Sequence, residues 1–149
     1  MWGLAFKPET DDMREAPSRD IIAALLARGA KIKAFDPKAM DNARHIFNET
    51  IEYAPNAREA LRDVDAELLL TEWRQFRGLH QDPVMRNLMR NRIVFDGRNQ
   101  YDPWKMRQNG FEYYSVGRPP VRPGYHFDLS GAWQPVNDNV QPERKAVFA

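Results

Sequence analysis

Cysteine is absent from all 149 residues of this chain. That excludes disulfides, thiolate metal sites and cysteine nucleophiles together, and it is compatible with a reducing compartment. Charge of one sign is missing too, since 22 basic side chains face 21 acidic ones. A near-neutral balance offers no broad field for nucleic acid or anionic lipid, so an anionic ligand has to be held by a few placed cations. No apolar run approaches the ~20 residues of a bilayer helix, which argues against a membrane span. The opening Met1-Trp2-Gly3-Leu4-Ala5-Phe6 has no basic segment ahead of it and no longer apolar stretch, so it does not read as a signal peptide and a cytoplasmic setting is expected. The glycines nowhere spell G-x-G-x-x-G, and no Walker loop, serine elbow or paired-carboxylate signature occurs. His45, His80 and His126 are scattered without metal-ligand spacing.

What is present is an ordinary globular composition, 42% hydrophobic and 29% charged, at the size of a single domain. Short apolar runs alternate with amphipathic stretches up to about residue 117, which predicts an α/β fold around a mostly parallel sheet. Six strands are expected, over residues 2–6, 31–35, 51–53, 66–70, 93–95 and 111–116. Helices are expected over 18–28, with Ser18 as cap and Gly29 at the close, and over 40–47. A third over 56–61 takes Asn56 as cap, a broken helical region covers 74–91 with Pro83 opening its second piece, and a last helix over 102–109 ends at Gly110. From 118 to 149 the composition changes. Arg118-Pro119-Pro120-Val121-Arg122-Pro123-Gly124 cannot continue a sheet, because successive prolines remove ladder donors, so an extended or disordered tail is expected. Tyr125, Phe127, Trp133 and Phe148 are the tail residues able to dock.

Ligands of open α/β sheets bind outside the carboxyl ends of the strands. Three polar clusters lie there: Lys7-Pro8-Glu9-Thr10-Asp11-Asp12-Met13-Arg14-Glu15, Thr71-Glu72-Trp73 and Asp96-Gly97-Arg98-Asn99. In a parallel sheet all three face one edge, so Lys7, Arg14 and Arg98 can converge on an anion, the lysine as a point charge and the arginines as planar forks. Each residue also has a plainer reading. Lys7 can be a solvated lysine, Arg14 an ion-pair partner of the acids around it, and Arg98 the surface of an Asp-Gly turn. Trp73 fits core or pocket wall better than a stacking partner. Asp36 follows a strand where dinucleotide folds keep a ribose-binding acid, but Asp36-Pro37 is equally a turn.

Read as sequence, the clusters say more. Gly3-Leu4-Ala5-Phe6-Lys7-Pro8-Glu9-Thr10-Asp11-Asp12-Met13-Arg14-Glu15-Ala16-Pro17-Ser18 resembles the segment that opens the C-terminal domain of UDP-glucose and GDP-mannose dehydrogenases. Thr71-Glu72-Trp73 and Phe95-Asp96-Gly97-Arg98-Asn99 follow in that family's order and spacing, and the resemblance runs to about residue 118, nearest to the bacterial UDP-glucose enzymes. It implies a Rossmann-like domain over 1–117 that binds UDP or UDP-glucose. In the family, NAD-dependent oxidation takes the sugar C6 alcohol to the uronate through a cysteine-bound thioester. Carried over, Phe6 and Lys7 contact the nucleotide sugar, Arg98 or its neighbour Asn99 reaches its phosphates or sugar, and Arg14 meets the NAD held mainly by another domain. The family's glycine-rich NAD domain and catalytic cysteine have no counterpart in this sequence, so the chain reads as a catalytically incomplete piece with a first strand cut short. Self-association through uncovered surface is expected of it. The alternative is a stand-alone nucleotide-binding or protein-interaction module built on the same fold.

Overall fold

The structure is a computed structural model, and it describes residues 1–135. Helix α1 (Pro17–Leu26) starts with proline in its first turn, where a missing N–H costs no helical bond. Ile22 is buried on its inner face with Ile21, Leu25 and Leu26 packed nearby, and Gly29 closes the turn at φ 82°. Ser18 is not the cap that the sequence argued for. The helix begins at Pro17, so Ser18 lies inside the first turn, buried, and its hydroxyl donates to the Leu4 carbonyl at 2.6 Å.

Strand β1 (Lys33–Ala34), α2 (Met40–Phe47) and β2 (Glu52–Tyr53) follow, then α3 (Ala57–Leu61), where the Asn56 side chain accepts from the Glu59 N–H. After β3 (Glu67–Leu69), two 3₁₀ turns lead into α4 (Pro83–Arg86), then β4 (Ile93–Asp96), α5 (Pro103–Gln108) and β5 (Glu112–Ser115). Asp82 and Asp102 cap α4 and α5, each with proline next in sequence.

The pairings among β1 to β5 are all parallel. They do not make a sheet of about six strands. Two small sheets take its place, β1 with β2 and the three-stranded β3-β4-β5. The cause lies in residues 2–6, expected as a strand. Gly3 turns to φ 85°, which breaks an extended run, and only Trp2 forms bridges, to Phe35 on one side and to Leu69 on the other. The Trp2 N–H donates to Leu68 O at 2.8 Å, the Trp2 carbonyl accepts from Leu70 N at 2.9 Å, and the Gly3 N–H donates to Phe35 O at 2.9 Å. This short segment therefore lies between the two sheets and ties them together.

Alternation along β3 divides the interior. Glu67 and Leu69 face a core of Trp2, Trp73, Phe76, Val94, Phe111 and Tyr113, while Leu68 and Leu70 meet a second core built on Leu4, Ile22, Ile32 and Ala34. In the first core His80, ringed by Trp2, Tyr101 and Phe111, sets its Nε2 2.8 Å from a carboxylate oxygen of Glu67.

The described part of 118–149 carries regular structure where an extended or irregular tail was expected. Val121 exchanges both backbone hydrogen bonds with Tyr113, and β6 (Tyr125–Phe127) pairs antiparallel with β7 (Trp133–Pro135). The prolines permit this because Pro119, Pro120 and Pro123 lie outside the strands and Pro135 ends one. Phe127 packs edge-on against Trp133 at 5.2 Å. Phe148 lies outside the described residues. Among the described residues no helix is long and apolar enough to cross a membrane.

Candidate functional site

The three polar clusters are fastened to one another by side chains. From the first to the second, the Thr71 hydroxyl donates to the Ala5 carbonyl, just ahead of Phe6 and Lys7. From the second to the third, the Arg98 guanidinium grips the Glu72 carboxylate with two hydrogen bonds, and the Gln100 amide donates to the Trp73 carbonyl at 3.3 Å. Parallel pairing of β3 with β4, and of Trp2 with Leu69, brings these loops to the same sheet edge.

Lys7 is exposed, its ammonium 5.1 Å from the centre of the Phe6 ring, and among the described residues no carboxylate lies within 4.0 Å of it. Phe6 itself is 37% exposed, unusual for a phenylalanine and open to a flat partner. A small cleft of about 280 Å³ beside it is lined by Phe6, Asp12, Arg14 and Glu15, so the fold sets Phe6 near Arg14. Arg14 has the partner its acidic neighbourhood argued for. Its guanidinium donates to both Asp12 oxygens, at 2.7 Å for the shortest bond, and this pulls the Asp12 carboxyl down to about 2. The loop is braced by Lys38, ahead of α2, to Glu9 at 3.2 Å and by the Asn42 amide of α2 donating to the Asp11 carbonyl at 2.8 Å.

Arg98 sits on a turn whose backbone is set by Asp96, buried, which accepts from the Arg98 N–H at 2.9 Å, the Tyr101 N–H at 3.0 Å and the Tyr113 hydroxyl at 2.9 Å. Its hydrogen bond to Glu72 holds that carboxyl below the ordinary range. Asn99, at φ 54°, spends both ends of its amide on Val116, donating to the carbonyl at 2.9 Å and accepting from the N–H at 3.0 Å. Of the two neighbours, Arg98 is thus the one with a charged group at the surface. The pair is partly open to water, so the guanidinium is reachable by a phosphate that competes with Glu72 for it.

Asp36 opens the turn expected at Asp36-Pro37, and it does so buried, not at the surface. Its carboxylate is 1% exposed and accepts from the N–H groups of Leu4, Ala5, Lys38 and Ala39 and from the Trp73 indole. Sequence spacing could show only the local donors, Lys38 and Ala39, because the others come from two distant segments. With its oxygens so engaged, Asp36 has no free acceptor to offer a ligand. Among the described residues no cluster of acids and histidines is arranged to hold a metal ion. A larger open cleft of about 790 Å³ lies at the end of α2, lined by Arg44, Asn48, Glu49, Thr50 and Tyr53. Its one cation, Arg44, is stacked 5.0 Å over the Tyr53 ring, so we place the site at the sheet edge instead.

Comparison with known proteins gives the family. Residues 1–103 match the model of the UDP binding domain of the UDP-glucose/GDP-mannose dehydrogenase family. The chain is 44% identical over 123 residues to the UDP-glucose 6-dehydrogenase YwqF of Bacillus subtilis, covering 81% of this chain and 27% of that protein. It is 42% identical over 120 residues to TuaD, a UDP-glucose 6-dehydrogenase of the same organism, covering 80% and 26%. The solved UDP-glucose dehydrogenase of the archaeon Pyrobaculum islandicum superposes with a TM-score of 0.62 at 34% identity, over 76% of this chain and 23% of that one. The chain thus spans about a quarter of the length of the relatives it matches. With a family model covering well over half of its residues, the chain belongs to the UDP-glucose/GDP-mannose dehydrogenase family, as its UDP-binding domain.

Proposed function

We propose that this domain, taken as residues 1–117, binds the diphosphate of UDP or UDP-glucose with Lys7 and Arg98, while Phe6 flanks the ligand. The observation that supports the reading most is the fastening of three loops at one sheet edge, where among the described residues Lys7 has no carboxylate within 4.0 Å and Arg98 holds a partly exposed one. In a whole protein of this family the reaction would be oxidation of UDP-glucose to the uronate. NAD would be held mainly by another domain, and Arg14, 87% exposed, would add a cation to it. We place that chemistry in the cytoplasm. The Phe95 and Tyr114 rings are stacked 4.9 Å apart and Phe95 is 42% exposed, and open apolar surface of this kind favours self-association.

An open site without a closing domain binds weakly, since water screens its charges, and a dissociation constant near the millimolar range, about 4 kcal/mol, is expected. Chemical-shift titration with UDP, UDP-glucose and GDP-mannose tests the reading. Lys7→Ala should cost about 1.5–3 kcal/mol, enough to remove measurable binding. Equal responses of wild type and Lys7→Ala would return Lys7 to a solvated surface lysine, and no response in either would favour an interaction module on this fold.

A further inference from the structure

We propose that Asp36 is a positioning residue for the nucleotide site: its carboxylate fixes the backbone that presents Phe6 and Lys7 and ties it to the loop that carries Glu72. The proposal rests on the reading of Phe6, Lys7 and Arg98 as nucleotide contacts.

The argument starts from donor count. One oxygen of Asp36 accepts from Leu4 N at 2.7 Å, Ala5 N at 3.2 Å and the Trp73 indole N–H at 3.3 Å. The other accepts from Lys38 N and Ala39 N, both at 2.9 Å. All of these groups donate and none accepts, so the position requires a group that only accepts, which among side chains is an ionised carboxylate. An amide of the same shape would turn its own N–H groups toward at least two of the donors. The buried carboxylate has no lone pair left for a ligand, so whatever it contributes to binding passes through the groups it holds.

Those groups lead straight to the site. Leu4 and Ala5 immediately precede Phe6 and Lys7, and the Ala5 carbonyl is gripped from the other side by Thr71. The Phe6 N–H is in turn satisfied by the Asp12 carbonyl at 3.2 Å. Trp73 follows Glu72, the residue that holds Arg98. A single carboxylate therefore touches the segment that presents Lys7 and the neighbour of the residue that holds Arg98. Gly3, at φ 85°, sets the bend that sends the Leu4 and Ala5 N–H groups inward to Asp36.

Asp36→Asn and Trp73→Phe test this, the second removing the indole donor together with part of the buried ring while keeping an aromatic ring in place. Each is compared with wild type by amide spectra of the unliganded protein and by UDP titration, at a temperature where circular dichroism shows it folded. The amides of Phe6 and Lys7 are expected to shift before any ligand is added. The UDP dissociation constant is expected to rise about ten-fold in Asp36→Asn and about three-fold in Trp73→Phe, the range of one hydrogen bond lost or weakened. Shifted amides with unchanged UDP affinity would reduce Asp36 to a structural residue and overturn the proposal, as would Phe6 and Lys7 amides that do not move. If Asp36→Asn does not fold, Trp73→Phe decides alone. A wild-type protein that ignores UDP sinks the nucleotide reading, and the Phe6 and Lys7 amides then decide separately whether Asp36 positions the loop.

Discussion

Arg14, itself exposed, lowers the Asp12 carboxyl from 3.8 to about 2 by hydrogen bonds at the surface. Because the folded value is the lower one, what the pair contributes is complete above the ordinary carboxylate range and is lost as pH falls through about 2. A carbon-13 titration of the Asp12 carboxyl should therefore show a midpoint about 2, and Arg14→Ala should return it toward 3.8 with little change in stability, since exposed pairs contribute little. Glu72 gives a companion signal. Its carboxyl is held down first by the Arg98 hydrogen bond, so UDP that draws Arg98 onto its phosphates should raise the Glu72 midpoint, while a ligand bound elsewhere should leave it where it is. The two arginines also show what a sequence reveals of a site. Arg14 has its partner two residues away, and the acids around it made an ion pair legible. Arg98 finds Glu72 26 residues away, a contact that exists only because β3 and β4 pair in parallel, and no local pattern announces it. Asp36 was legible as an acid after a strand and as the start of a turn, which Lys38 and Ala39 complete, but its donors from Leu4, Ala5 and Trp73 were not.

At the scale of elements, apolar runs located β3, β4 and β5 to within a residue or two, and Asn56, Pro83 and Gly110 marked helix ends correctly, because these signals act through their immediate neighbours. The opening segment failed for the opposite reason. Trp2-Gly3-Leu4-Ala5-Phe6 has strand composition, but Gly3 adopts φ 85° under a constraint from Thr71, far away in sequence. A Cβ on Gly3 would lie 2.6 Å from the Thr71 backbone nitrogen, too close for any rotamer to relieve. Gly3→Ala is therefore expected to cost about 2–4 kcal/mol, combining left-handed strain with overpacking against backbone. Urea unfolding measures it, and a midpoint equal to wild type would mean that the bend at Gly3 is not required. The β6 and β7 hairpin escaped the sequence for a related reason: its strands are three residues each, and the surrounding prolines mask their alternation.

For the whole molecule the decisive segment is the one that joins the two sheets. The cores lie on opposite sides of β3, and two small parallel sheets with separate cores invite separate unfolding. Trp2 opposes that. Its backbone bridges Phe35 and Leu69, its indole stacks on Phe76 at 4.8 Å, and its N–H donates to the Ala57 carbonyl at 3.0 Å, all at 0% exposure. Leu4, two residues on, is buried in the other core. Melting either side must pull this segment out of both, so tryptophan fluorescence and far-ultraviolet circular dichroism should report one coincident transition. Trp2→Ala should cost about 3–5 kcal/mol, the range for a buried aromatic, against a total of about 5–15 kcal/mol for a domain, so the variant sits near the edge of folding at room temperature. Trp2→Phe keeps a ring against Phe76 while losing the bond to Ala57, and it should fall between wild type and Trp2→Ala. Two resolved transitions in the wild-type protein, or a Trp2→Ala variant as stable as wild type, would show that the sheets are held together by something other than this residue.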